Sequence, residues 1–196
     1  MSTPPSPYIK EETQMEHSPI SIPFPRHTHP SRSPGTHLSD ILDFIEAMAF
    51  GKKKFKETPN SYLFAEMGFM WERVAKAQDQ ARLGELFIDP ELCLDGIYLS
   101  PDGVDLLHNN LIEYKFTWKS SARTPTWENQ RWMWQTKAYC KALGMDRVLF
   151  RVLYINGSYY PFEPVYDNTL CVFSQEELDN NWNMVLTNAR EGGFIT

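Results

Sequence analysis

The sequence predicts a mixed α/β domain, a β-sheet containing an antiparallel meander and flanked by helices. Three observations predict it. Apolar residues recur at helical spacing between Leu38 and about Ala81, the period drops from 3.6 toward 2 at residue 83, and a later helical stretch closed by Gly144 leads into a near-continuous apolar run over 147–155.

Residues 1–36 hold eight of the fourteen prolines among Ser, Thr and His, with few large aliphatic side chains, so they are expected to form a disordered arm ahead of one domain at 37–196. His17, His27, His29 and His37 read as solvated arm residues, because H-T-H lacks helical or hairpin ligand spacing. Ser39 is placed to cap a first helix with apolar positions Ile41, Leu42, Ile45, Met48 and Ala49. A loop with Lys52, Lys53, Lys54 and Lys56 follows. After Pro59 a second helix starts near Asn60 or Ser61 and runs through Tyr62, Leu63, Met67, Met70, Trp71 and Val74 to about Ala81.

Three strands are expected within 84–100, 102–108 and 111–119, with turns at Pro101-Asp102-Gly103 and Asn109-Asn110. A helix then spans 127–143, with Gly144 at its C-terminal cap. A strand over 147–155, a hairpin turn at Asn156-Gly157 and an outer strand over 158–165 come next. The last helix, 174–191, carries Ser174 as N-cap and Glu177 as its capping-box partner.

Composition narrows the function classes. With 42% hydrophobic residues the chain can bury a core, and a net charge of −6 with a pI of about 5.4 argues against binding nucleic acid by bulk positive charge while leaving room for a local basic groove. Cys93, Cys140 and Cys171 stand far apart, so a zinc knuckle, a four-cysteine iron–sulfur cluster and a disulfide scaffold all lack their ligands. The cysteines are expected to be small buried or half-buried residues. No apolar run is long enough to span a bilayer, and Pro and Glu stand where a signal peptide needs apolar residues, so a soluble cytoplasmic protein is expected.

The chemistry concentrates in 111–119, where Ile112, Tyr114, Phe116 and Trp118 point to one face and Glu113, Lys115, Thr117 and Lys119 to the other. Asp95 interrupts the apolar strand of Cys93, Ile97 and Leu99, and antiparallel folding of the meander would bring it near Glu113. Two close carboxylates repel unless a cation sits between them, and an all-oxygen site suits Mg²⁺ or Mn²⁺.

Glu72, Asp95 in L-D-G-I and Glu113-Tyr114-Lys115 as E-x-K together resemble the PD-(D/E)XK nuclease superfamily, with its restriction-endonuclease-like core. Gln135 to Tyr139 is similar to the QxxxY motif of its RecB-like branch, and Gly68-x-x-x-Glu72 resembles the G-x-x-x-E helix of phage recombination exonucleases. The resemblance implies that Asp95, Glu113 and the Tyr114 carbonyl bind Mg²⁺, with Mn²⁺ as a substitute, that Glu72 joins the metal shell, and that Lys115 assists the nucleophile. Gln135 and Tyr139 would position Lys115 and the DNA phosphate, an assignment their i, i+4 spacing supports. Gly68 would let the helix backbone approach closely. The cluster cysteines of some relatives are missing, and Leu94 stands before Asp95 where the superfamily name has proline.

Lys119, Arg123, Lys137, Lys52, Lys53 and Lys54 are candidate DNA-phosphate contacts. Trp127, Trp132 and Trp134 read mainly as core residues. The expected activity is a Mg²⁺-dependent deoxyribonuclease, foremost an exonuclease acting on a duplex end or a single strand in recombination, repair or phage DNA processing. A catalytically weak DNA-binding or assembly module, and a structure- or site-specific endonuclease, remain alternatives. A single-strand annealing or recombination protein as partner and a homo-oligomer are both compatible with the chain.

Overall fold

The structure is a computed structural model and describes residues 33–51, 59–119, 125–159 and 162–196. The arm up to residue 32, the loop with Lys52, Lys53, Lys54 and Lys56, and Arg123 lie outside the described residues.

A two-residue strand, β1 (Thr36–His37), runs directly into helix α1 (Leu38–Phe50), which ends on Gly51 at φ 60°. His37, not Ser39, is the N-cap residue, because the strand leaves no loop in which Ser39 could precede the first turn. His37 is buried against the Tyr98 ring at 5.6 Å, and its Nε2 lies 2.9 Å from the Ser33 carbonyl; it is not a solvated arm histidine.

Helix α2 (Pro59–Leu83) turns a different face inward from the apolar one read in the sequence. Leu63, Met70 and Val74 are exposed, whereas Ala75, Asp79 and Leu83 are buried and Trp71 packs against that cluster. The residues recur every fourth position, and an aspartate in the middle hides the stripe from a hydrophobicity count. Asp79 is tolerated there because its carboxylate accepts hydrogen bonds from Tyr114 Oη at 2.8 Å and Arg82 at 3.0 Å, and pairs with Arg151 at 2.7 Å.

The expected meander is two structures. β2 (Phe87–Ile88), β5 (Gly103–Asp105) and β6 (Asn110–Thr117) belong to the main sheet, whereas β3 (Leu92–Leu94) and β4 (Ile97–Leu99) form a separate hairpin extended by β1. The hairpin turn is Asp95-Gly96, with φ 50° and 79°, the positive pair that Asp-Gly favours between twisted antiparallel strands. Asp95 is thus a turn residue and not part of a strand.

Thr126–Glu128 form a 3-10 turn, so Trp127 precedes helix α3 (Gln130–Leu143), which Asn129 caps by accepting from the Trp132 N–H and Gly144 closes at φ 67°. α3 returns the chain to strand β7 (Arg147–Tyr159), parallel to β6 with Glu113 opposite Phe150 and Lys115 opposite Val152. β8 (Phe162–Val172) completes the sheet order β2-β5-β6-β7-β8. The expected turn at Asn156-Gly157 lies inside β7, at a bulge where the register with β8 shifts between Tyr154 and Ser158. The Asn156 amide is engaged elsewhere, donating to the Trp118 carbonyl beyond the end of β6 at 3.2 Å. Helix α4 (Gln175–Glu191) begins with the expected Ser174–Glu177 capping box.

The main sheet carries helices on both faces, with one face of β8, including Tyr166, Leu170 and Val172, left exposed. α1, α3 and α4 cover one side around Leu38, Ile41, Tyr139, Val148, Phe150 and Trp182, while α2 covers the other around Ile112 and Tyr114. Trp132 stacks on Phe150 at 6.4 Å and Trp134 packs at the core edge, as expected of core tryptophans; Trp127 is exposed. Cys140 is buried and Cys171 half-buried, but Cys93 is exposed, since it points outward from the short hairpin. No helix among the described residues is long and apolar enough to cross a membrane.

Candidate active site

Strand alternation puts Leu111, Glu113 and Lys115 on the α3 face of β6 and Ile112 and Tyr114 on the α2 face. Glu113 is 0% exposed, a position a carboxylate occupies only when something compensates its charge. The first compensation is Lys115, whose Nζ donates to Glu113 Oε2 at 2.6 Å and to Gln135 Oε1 at 3.2 Å. Gln135 Nε2 in turn donates to Tyr139 Oη at 3.0 Å, so the helical i, i+4 pair and the lysine form one hydrogen-bonded chain.

The second carboxylate is Asp102. It lies immediately before β5, its Oδ2 accepts the Tyr114 N–H at 2.8 Å and stands 4.0 Å from Lys115 Nζ. β5 pairs with β6 only as far as Gly103 opposite Ile112, so at Tyr114 the ladder has ended and a side chain takes the place of a strand. The N–H and C=O of a strand residue face the same edge, which puts the Tyr114 carbonyl on the Asp102 side of β6.

Asp95 is not brought to this cluster. It is exposed, and its Oδ2 accepts from Trp182 Nε1 of α4 at 2.8 Å. The sequence holds two Asp-Gly pairs seven residues apart, and their roles are exchanged: Leu94-Asp95-Gly96 makes the turn and Pro101-Asp102-Gly103 carries the site carboxylate. A signal for Asp102 was present in the chain, since Pro101-Asp102 followed by Glu113-x-Lys115 matches the pattern of the superfamily that the sequence resembles.

Glu72, half-buried on α2, completes the acidic group. Burial, and then the Asp102 carboxylate, push its carboxyl up to about 7 against the pull of Lys76 and Lys115. Burial and Asp102 also push Glu113 upward, and Lys115 draws it back. Burial pulls the Lys115 pKa down, but the surrounding carboxylates, Glu113 foremost, outweigh it and hold that pKa above the ordinary lysine value. Gly68, one turn before Glu72, meets nothing within 4 Å where a Cβ would stand, so it leaves open space and does not serve a close helix approach.

The remaining sequence candidates divide. Lys119 is exposed just beyond β6, with its N–H on Thr117 Oγ1 at 3.1 Å. Lys137 is committed elsewhere: its Nζ lies 3.0 Å from Glu177 Oε1 and 5.1 Å above the Phe173 ring. Two residues along a helix turn a side chain by about 200°, so Gln135 and Lys137 cannot serve the same face.

Tested against a hard divalent cation, the site fits by its donors. Asp102, Glu113, Glu72 and the Tyr114 carbonyl offer oxygen only, and Glu113 Oε1 is buried with no hydrogen-bond partner. Among the described residues, no three His, Cys, Asp or Glu side chains are close enough to hold a metal by themselves.

This fold is shared with solved structures of exonucleases. A phage-related exonuclease from Haemophilus somnus 129PT is similar over 78% of this chain and 79% of its own, with a TM-score of 0.51 at 13% identity. The alkaline exonuclease LHK-Exo from Laribacter hongkongensis is similar over 80% of this chain and 87% of its own, with a TM-score of 0.50 at 17% identity; LHK-Exo in complex with dAMP gives 0.54 at 16%. No protein-family profile and no curated protein matches the chain.

Proposed function

We propose that this protein is a Mg²⁺-dependent deoxyribonuclease, foremost an exonuclease, that hydrolyses phosphodiester bonds at the Asp102–Glu113–Lys115 cluster. The observation that carries the reading is the buried Glu113 with its unpartnered Oε1, held beside Asp102 and Lys115 where β5 stops. The fold shared with exonucleases supports it.

Asp102, Glu113 and the Tyr114 carbonyl would hold the ion, with Glu72 joining directly or through water. Bound there, Mg²⁺ or Mn²⁺ supplies a polarised phosphoryl oxygen and a water of lowered pKa. Lys115 keeps its proton at neutral pH and offers a fixed positive charge to the anionic transition state. Gln135 restricts that ammonium to one position, and Tyr139 restricts Gln135. Lys119 provides a nearby contact for the DNA backbone.

End-labelled linear DNA and a covalently closed circle, incubated with Mg²⁺, with Mn²⁺ or with chelator, test the reading. Metal-dependent loss of the linear substrate alone, absent in Lys115→Met, is expected. Cleavage of the circle would make the protein an endonuclease. Neither DNA cut under any condition by the folded protein would leave a binding or assembly module.

A further inference from the structure

We propose that Lys76 is a DNA-phosphate-binding residue at the rim of this site, and that in the free protein Asp89 occupies its ammonium where a phosphate oxygen binds in the complex. The inference rests on the nuclease reading and names a substrate contact that reading does not contain.

Glu72 and Lys76 are i, i+4 on α2 and share one face of the helix, about 6 Å apart along its axis. That span is of the order of the distance between neighbouring phosphates of one strand. Lys76 Nζ lies 2.7 Å from Asp89 Oδ2, with side chains 19% and 55% exposed. Both charges act on Glu72, which ties the pair to the acidic centre.

Charge favours such a residue. The centre holds Glu72, Asp102 and Glu113, and its own lysine is turned inward, bonded to Glu113 and Gln135. A polyanion approaching three carboxylates is helped by each cation outside that cluster, as Lys119 is. Lys76 is placed there, and an ion pair with an exposed aspartate is weak, so a phosphate can replace Asp89 at little cost. Pro90 directly follows Asp89, just past the end of β2, and favours an extended backbone there. The aspartate therefore screens the lysine until substrate arrives.

The test is fluorescence-anisotropy binding of a short DNA duplex over a series of salt concentrations with Ca²⁺ present, together with steady-state cleavage in Mg²⁺. Lys76→Met should weaken binding about fivefold and reduce the salt slope by about 0.7–0.9, with KM raised and kcat within about twofold of wild type. Asp89→Asn should tighten binding about twofold or more, and Lys76→Arg should restore it, which separates a phosphate contact from a fold defect. Wild-type affinity and salt slope in both Lys76→Met and Asp89→Asn would overturn the proposal, as would a loss confined to kcat. If wild type cuts no DNA the nuclease reading fails, while the binding series still decides whether Lys76 meets phosphate.

Discussion

Exchanging each of the two Asp-Gly aspartates for asparagine separates site from turn. Asp102→Asn keeps the shape and the acceptor for the Tyr114 N–H at 2.8 Å, so the backbone of β6 is undisturbed. It removes a charge that pushes both Glu72 and Glu113 upward, so thermal stability should hold or rise. It also removes one of the few carboxylates available to a cation, and the expected loss in metal-dependent cleavage is about 100-fold or more, roughly 2.7 kcal/mol in the transition state. Asp95→Asn retains an acceptor for Trp182 Nε1, and asparagine tolerates φ 50°, so stability should move by less than about 0.5 kcal/mol and cleavage by less than about threefold. Initial rates on labelled linear DNA, with Mn²⁺ titration calorimetry, measure both. The assignment is refuted if Asp95→Asn abolishes cleavage while Asp102→Asn cleaves and binds metal like wild type.

Other outcomes follow from the same geometry. Glu72 has a folded pKa of about 7 against an ordinary 4.5, so the metal-free protein binds extra protons between these values and loses stability as pH rises through that window; Mg²⁺ must displace those protons, so its increment in Tm should be small at pH 5 and larger at pH 8. A pH-independent increment in a thermal shift series would show that Glu72 does not meet the ion. Asp79→Ala takes the ion-pair partner from the largely buried Arg151 and the acceptor from the Tyr114 hydroxyl and should cost about 3–5 kcal/mol by urea denaturation, against about 1 kcal/mol for Tyr114→Phe, and equal small losses would deny the network its charge character. Ser174→Ala opens the α4 capping box and should cost about 1 kcal/mol by the same method while leaving cleavage unchanged.

The features legible in the sequence are those set by local chemistry. Gly144, the Ser174–Glu177 box, the alternation of β6 and the Gln135–Tyr139 pair each depend on spacing within one element, and each stands where the spacing places it. What the chain hides are choices between equivalent local signals. Asp95-Gly96 and Pro101-Asp102-Gly103 are both turn-formers, and only the pairing of β3 with β4 decides which one turns. Asn156-Gly157 is a strong hairpin signal overridden by the continued ladder between β7 and β8. The inward face of α2 is concealed by Asp79, whose burial makes sense only once Arg151 and Tyr114 arrive from the sheet.

The early end of β5 carries a further consequence. Because Asp102 replaces a strand partner for Tyr114, the candidate site is a gap in the sheet whose dimensions are set by which residues of β5, β6 and β7 face one another. A one-residue slip of β6 would turn Glu113 and Lys115 toward α2 and send Tyr114 into the α3 core, costing the packing and the chemistry together. Mispaired chains therefore cannot persist as folded molecules with a displaced site, and the hydrophobic core proofreads the alignment of the acidic residues.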